Sequence, residues 1–316
     1  MGAEPLYFGR KYRLSITPPE GDRLVLDVQE DTTPLDIKFD VTYAIGQVAR
    51  EGTVSILGLG WDTIEPILEM SAMARGDALA EHVHLKLEAG YLSKAGMVEI
   101  FDGYIYYATV TSPPEMWVNL KISEVNPYGG PTCDITVTDL LTPRDIVQGI
   151  LDKFSKAEGV NFRLVDKTKD KLFDNDKEKT KFSMDGDKQT LKAVLQKLSD
   201  WRPKYVFTLA TIEAASNDRI VEVHSKEGGD AGDEGEDVRV DKDNGLLSVS
   251  GIDAVSGHIT TFIDGRWKDK LSHIRLKSEL NPQANGRYRI LKKQYTGHYT
   301  GKEWYTKYFC SNRVRG

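Results

Sequence analysis

Between Gly245 and Cys310 the sequence is cut every few residues by glycine, and between the cuts polar and apolar residues alternate. Asn244-Gly245 is a turn signal, after which Leu246, Ser248 and Ser250 alternate with Leu247, Val249 and Gly251. Successive side chains leave a strand on opposite sides, so a two-residue period marks a strand with one buried face. Ser256-Gly257-His258-Ile259 and the loop Asp264-Gly265 lead into Leu271 to Leu280. There His273, Arg275 and Lys277 stand opposite Ile274 and Leu276. Asn285-Gly286 opens Arg287 to Tyr295, and Thr296-Gly297-His298-Tyr299-Thr300-Gly301 turns the chain into Trp304 to Cys310. Short strands joined by glycine turns predict a small antiparallel barrel or sandwich.

The opening third has the same texture. Lys11–Thr17 and Arg23–Val28 flank the turn Pro18-Pro19-Glu20-Gly21-Asp22 and read as a hairpin. Ile37, Phe39, Val41 and Tyr43 share one face of the next strand, and Thr53–Leu57 follows. Asp62 is expected to cap a helix from Thr63 to about Met73, with Ile64, Ile67, Leu68 and Met70 as its apolar stripe. His82–Glu88, Val98–Tyr107 and Trp117–Ser123 complete a set that predicts a barrel closed or plugged by that helix.

Between these parts the texture changes. Thr142-Pro143 starts a helix with a cap followed by proline at the first helical position. Ile146, Val147, Ile150, Leu151 and Phe154 form its buried face, and Gly159 ends it. Val160–Val165 reads as a strand. Asp166–Lys181 holds six lysines and five acids and reads as a solvated loop. Asp187 is expected to cap a second helix, with Leu191, Val194, Leu195, Leu198 and Trp201 inward and Pro203 as its stop. Tyr205–Leu209 and Arg219–His224 pair as a hairpin. Residues 228–237 have no core-forming side chain and read as a flexible acidic loop. The fold class expected is mainly β, two antiparallel barrel domains at 1–128 and 239–316 with an inserted α+β domain at 129–238.

The residues that could carry chemistry are few. His82-Val83-His84 places two imidazoles on one strand face, but Val83, Leu85 and Leu87 claim the other, which sends the histidines to solvent or an interface. The run Asp230–Asp237 lacks the alternating ligands and closing Glu of a calcium loop. Gly58-Leu59-Gly60 has no further glycine or Gly-Lys-Ser/Thr to make a phosphate loop, and neither Gly-x-Ser-x-Gly nor His-Glu-x-x-His occurs. No catalytic, cofactor or metal residue is assigned, and the chain is expected not to be an enzyme. Cys133 and Cys310 are too few for a disulfide framework, and we expect them reduced. No apolar run approaches the ~20 residues of a membrane span. Met1-Gly2-Ala3-Glu4-Pro5 shows no basic n-region, so we expect neither signal peptide nor membrane partner.

Several phrases form an ordered series. Gly245-Leu-Leu is followed by Ser250-Gly251, then Gly286-x-Tyr288-x-Ile290, Gly297-His298, and Gly301-x-x-Trp304 ending on Phe309-Cys310. Earlier stand Val83-x-Leu85-x-Leu87-Glu88-Ala89-Gly90-Tyr91 and Ile100-Phe101-Asp102-Gly103-Tyr104-Ile105. This series resembles the baseplate hub proteins of contractile-tailed bacteriophages, which have relatives in contractile bacteriocins and type VI secretion spikes. It covers Lys11 to about Ser123 and Gly245 to Cys310. Arg50-Glu51-Gly52-Thr53 departs from the Asn-Thr-Ala usual there. The resemblance implies two tube-type barrels of similar fold and a homotrimer that sets six of them in a ring. That ring would join a sixfold tail tube, or its initiator protein, to a threefold spike. It also implies contact with other baseplate proteins, DNA only in passage through the channel, and assembly in the host cytoplasm into the virion. A cell-wall hydrolase or glycan-binding tail component, and the tail-tip hub of a non-contractile phage, stay open on residues alone.

Charge is unevenly placed. The chain carries −6, yet from Arg239 onward fifteen Lys/Arg face seven Asp/Glu, so this part is +8 and the remainder −14. In a head-to-tail ring such halves attract. Arg275, Lys277, Arg287, Arg289, Lys292 and Lys293 are therefore the candidate intersubunit residues, expected to meet carboxylates of residues 1–125.

Overall fold

The computed structural model describes residues 9–18, 23–27, 35–44, 49–76, 83–93, 96–124, 133, 135–158, 161–184, 189–210, 218–225, 238–250, 257–264 and 273–310. The first part holds β1 (Arg10–Thr17), β2 (Leu24–Asp27), β3 (Asp36–Ala44), β4 (Glu51–Leu57), α1 (Trp61–Gly76), β5 (His84–Tyr91), β6 (Met97–Val110) and β7 (Trp117–Ser123). The middle holds β8 (Thr136–Leu141), α2 (Pro143–Glu158), β9 (Asn161–Asp166), β10 (Thr180–Ser183), α3 (Leu191–Trp201), β11 (Tyr205–Ala210) and β12 (Asp218–Ser225). The last part holds β13 (Val238–Val240), β14 (Leu246–Ser250), β15 (His258–Phe262), β16 (His273–Leu276), β17 (Gly286–His298) and β18 (Trp304–Cys310).

The chain is mainly β, as the alternation requires. The first and last parts do not form separate sheets. They share one 13-stranded sheet in the order β14-β15-β18-β17-β3-β4-β7-β6-β5-β1-β2, with β16 and β13 branching from β17. Among the described residues this path does not close, because β14 and β2 are its two ends. The expectation of barrels is met at the coarser level of large antiparallel sheets, with no closed barrel among those residues.

Within the sheet one unit occurs twice. The first copy runs β3-β4-β7-β6-β5; the second runs β14-β15-β18-β17-β16, in the same chain order. In each copy one long strand serves two partners. β6 pairs with β5 and then with β7, shifting register between Ile105 and Tyr107. β17 pairs with β16 and then with β18, shifting between Ile290 and Lys292. A bulge bends a strand and raises its twist, so one strand can leave one neighbour and join another. The copies differ between their second and third strands in chain order. α1 lies between β4 and β5, whereas no α-helix among the described residues lies between β15 and β16.

The core follows the strand period. Ile37, Phe39 and Val41 are buried from β3, Leu85 and Leu87 from β5, and Ile64 and Ile67 from α1. Tyr295, Trp304 and Ile263 from the last part belong to the same apolar cluster. A second cluster gathers Ile146, Val147, Ile150, Leu151 and Phe154 of α2 with Val194, Leu195 and Leu198 of α3 over β9, β11 and β12. A third contains Val240, Ile259, Ile274, Tyr288 and Tyr308.

Three local expectations are corrected. α1 starts at Trp61 rather than Thr63, so Asp62 lies in its first turn, where its charge favours the helix N-terminus. The cap of α3 is Thr190, whose hydroxyl accepts the Ala193 N–H at 3.3 Å. Asp187 lies outside the described residues, as do His82, Gly159 and the acidic stretch 228–237. Asp166–Lys181 is anchored rather than merely solvated. The buried Asp166 carboxylate accepts the Thr168 N–H at 2.8 Å, the Thr168 hydroxyl at 2.6 Å and the Asp174 N–H at 2.8 Å. Phe173 is buried edge-on to Tyr205 and Phe207, with ring centroids 5.2 and 5.4 Å away. No helix among the described residues is long and apolar enough to cross a membrane.

Candidate assembly interface

The two parts of the large sheet meet where β3 lies antiparallel to the far half of β17, from Ala44 opposite Lys292 to Lys38 opposite His298. Side chains lock this seam. Asp40 accepts Gln294 Nε2 at 2.7 Å and Thr296 Oγ1 at 3.3 Å. Asp36 accepts the Thr300 hydroxyl at 2.7 Å and its N–H at 3.1 Å, and lies 2.9 Å from His298 Nε2. Burial pushes the Asp36 carboxyl up, but the hydrogen bonds from Thr300 and His298 outweigh it and hold the group below its ordinary value. From β1, Arg10 Nη1 donates to the carbonyls of His298, Tyr299 and Gly301 at 3.0, 3.1 and 2.5 Å. Its guanidinium also lies 5.6 Å from the centre of the Trp304 ring. Trp304 Nε1 donates to the Gly90 carbonyl of β5 at 3.1 Å, so the last hairpin is tied to the first part at several points.

The six basic candidates separate once placed. Strand pairing sets Arg239 beside Arg275 and Arg275 opposite Arg287, making a row of three arginines across β13, β16 and β17. Arg275 and Lys277 are exposed and Arg287 half-buried. Arg239 also reaches Asp241 at 2.8 Å. It was absent from the sequence candidates because its place depends on a parallel pairing that no local pattern announces. Arg289 instead donates to the Ser225 carbonyl of β12 at 3.1 Å. Lys292 leans over Phe309, and Lys293 is buried against Tyr295 and Tyr308. His273, opposite Arg289, is buried rather than presented with Arg275.

The first copy of the unit has Lys86 and Asp102 in the places of Arg275 and Arg287. Those two approach to 3.8 Å, with Glu99 2.9 Å from Lys86 and His84 2.6 Å from Asp102. Opposite charges pair there, whereas the second copy sets like charges side by side, an arrangement that favours nearby anions. Acidic side chains gather on α1, where Asp62, Glu65 and Glu69 are exposed while Ile64 and Ile67 point inward.

No three His, Cys, Asp or Glu side chains among the described residues converge to hold a metal. His84 is engaged with Asp102, and both cysteines are free thiols. The geometry is that of one sheet left open among the described residues, with its exposed charges paired in the first copy of the unit and alike in the second.

The sequence profile of the family described as baseplate hub gp41 matches residues 22–310. The chain belongs to this baseplate hub family. It is thus a structural component of the phage tail by family, as the ordered phrases implied. No curated protein matches the hub chain in sequence. Among solved structures, it is similar to the Escherichia coli c3393 protein, a type VI secretion component described as structurally similar to T4 tail proteins gp27 and gp5. The TM-score is 0.54 at 12% identity, over 92% of this chain and 77% of that one. The 43 kDa tail protein of prophage MuSo2 from Shewanella oneidensis gives 0.54 at 8% identity, over 95% and 96%. A chain of the half-lidded Francisella PdpA-VgrG complex gives 0.55 at 8%, over 98% of the hub chain and 59% of that chain. At such identities the likeness is one of fold.

Proposed function

We propose that this hub chain works as a homotrimeric adaptor between a sixfold tail tube and a threefold central spike, lining a channel through which DNA passes. The observation that carries the reading is the unit found twice in one chain, with the same strand order and the same bulge. Three chains then supply six similar units, which suits a sixfold neighbour, while the differences between the copies suit a threefold one. Residues 1–128 and 239–316 act as the two tube-type domains, each completed as part of the ring, and 129–238 as an insert on it. Arg275, Lys277 and Arg287 meet carboxylates of residues 1–125 of the next chain. Other baseplate proteins surround the hub in the virion after assembly in the host cytoplasm.

Native mass spectrometry of the purified chain, alone and with its spike protein, tests this reading. A trimer is expected. Monomers or dimers under both conditions would refute it. The same preparation is expected to leave peptidoglycan intact; turnover would instead favour a cell-wall hydrolase.

A further inference from the structure

The two copies of the unit touch the insert from equivalent places. Tyr104 of β6 lies opposite His84 of β5, one residue before Ile105, where the register shifts. Arg289 of β17 lies opposite His273 of β16, one residue before Ile290, where the same kind of shift occurs. Both reach one strand of the insert. The Tyr104 hydroxyl accepts from Arg219 Nη2 at 2.8 Å, and Arg289 Nη2 donates to the Ser225 carbonyl at 3.1 Å. Arg219 and Ser225 stand at opposite ends of β12.

β12 is suited to carry load between these ends. It is the middle strand of a three-stranded sheet, paired with β11 on one side and β9 on the other. Val221 and Val223, between the two contacts, are fully buried in the second apolar cluster. From Arg219 to Ser225 the strand advances about 3.3 Å per residue, a rod of about 20 Å. The Arg219 guanidinium also lies 5.7 Å from the centre of the Phe162 ring, which holds its aim. Further ties fasten the insert to the first copy. Lys192 of α3 pairs with Glu51 of β4, and Ala49 belongs to the insert's apolar cluster. Where the chain leaves β7, the buried Glu124 carboxylate accepts the Arg50 N–H at 2.8 Å and pairs with the same residue's guanidinium. The copies themselves are joined by strand pairing, and paired strands tolerate twists of roughly −10 to −35°. The seam fixes their register and leaves their angle softer.

We propose that the insert is a brace, in which β12 spans the two copies and fixes the angle between them. This gives residues 129–238 a task of their own. The brace acts within one chain, whatever number of chains assemble. It works only while both ends hold, whereas two unrelated surface contacts would act separately.

Distances between spin labels on the two copies test it. Glu65 of α1 and Ser248 of β14 are exposed, and Glu65→Cys with Ser248→Cys takes the labels in a Cys133→Ala, Cys310→Ala background. The labelled full chain is diluted with excess unlabelled protein, so that double electron–electron resonance reads pairs within one chain. Arg219→Met and Arg289→Met each remove one end of the brace and keep the aliphatic stem. Tyr104→Phe removes the first end by a single oxygen and serves where Arg219→Met does not fold. Expected is a distance distribution about twofold wider in either single variant and no wider in the double, because the two contacts act as a unit. An unchanged width in either single variant, or increments that add in the double, overturns the brace. A second label pair, Thr53→Cys with Glu65→Cys, lies within the first copy and should keep its width in every variant. Broadening there as well would mean that the variants loosen the fold at large, which also overturns the proposal.

Discussion

Gly297 lies opposite Phe39 across the seam, and a Cβ at 297 would come within 2.2 Å of the phenyl ring. The ring fills the space a side chain would need. Gly297→Val forces Phe39 or a strand to move and should cost about 1–3 kcal/mol, the usual penalty for overpacking. Urea unfolding checks this, and an unchanged midpoint would mean the seam is looser than described.

Arg10 holds the turn after β17 through charge-assisted bonds to three carbonyls. Arg10→Ala should destabilise by about 2–3 kcal/mol. Arg10→Lys should recover part of it, since an ammonium also donates from one nitrogen to several carbonyls but lacks the reach of Nη1 and the flat contact with Trp304. Equal midpoints for wild type and Arg10→Ala would contradict the clamp.

The seam should also weaken in acid. Asp36 titrates lower in the folded chain than its ordinary value of 3.8, so the unfolded chain binds the extra proton. Its contribution is fully present above that ordinary value and disappears as pH falls through the lower folded one. Asp36→Asn should melt below wild type at pH 7, and the two curves should converge at the acid end. A constant gap across pH would rule out the carboxylate as the cause.

Arg275 and Arg287 offer a test of the charged contact between chains. Reversing both to Glu should weaken assembly by on the order of tenfold or more at low salt. The deficit should shrink as salt rises, because screening removes attraction in the wild type and repulsion in the variant alike. Sedimentation across a salt series reads this. Unaltered assembly at low salt would make these arginines ordinary surface cations.

Burial pushes the Cys310 thiol up to about 12. At pH 8 it should alkylate on the order of a hundred-fold more slowly than an exposed cysteine, since the thiolate is the reacting form. Peptide mass spectrometry after timed iodoacetamide treatment checks the rate, and fast labelling of the native chain would count against it.

What the sequence made legible is what short range determines. The period of Ile37, Phe39 and Val41 gave β3, and Thr142-Pro143 gave the start of α2. The cap of α3 was less readable because Asp187 and Thr190 are both residues of capping type, and their types alone do not choose between them. Phe173 escaped notice because a single aromatic among lysines carries no period. The seam was illegible for a different reason. Residues 36–44 say which face is buried and nothing about which distant edge will lie beside them. The separation of the arginine row from Arg289, Lys292 and Lys293 likewise depends on a bulge and on β12, neither of which shows in the spacing of charges.

α1 is present in one copy of the unit and has no counterpart among the described residues of the other. In the proposed ring it works like a notch on every second tooth of a gear. A partner that touches the strands meets equivalent teeth and has six phases open to it. A partner that touches α1, with Asp62, Glu65 and Glu69 on its outer face, has only three. In that proposed ring, a helix described in one copy of the unit and not in the other would set the phase between two partners whose symmetries differ by a factor of two.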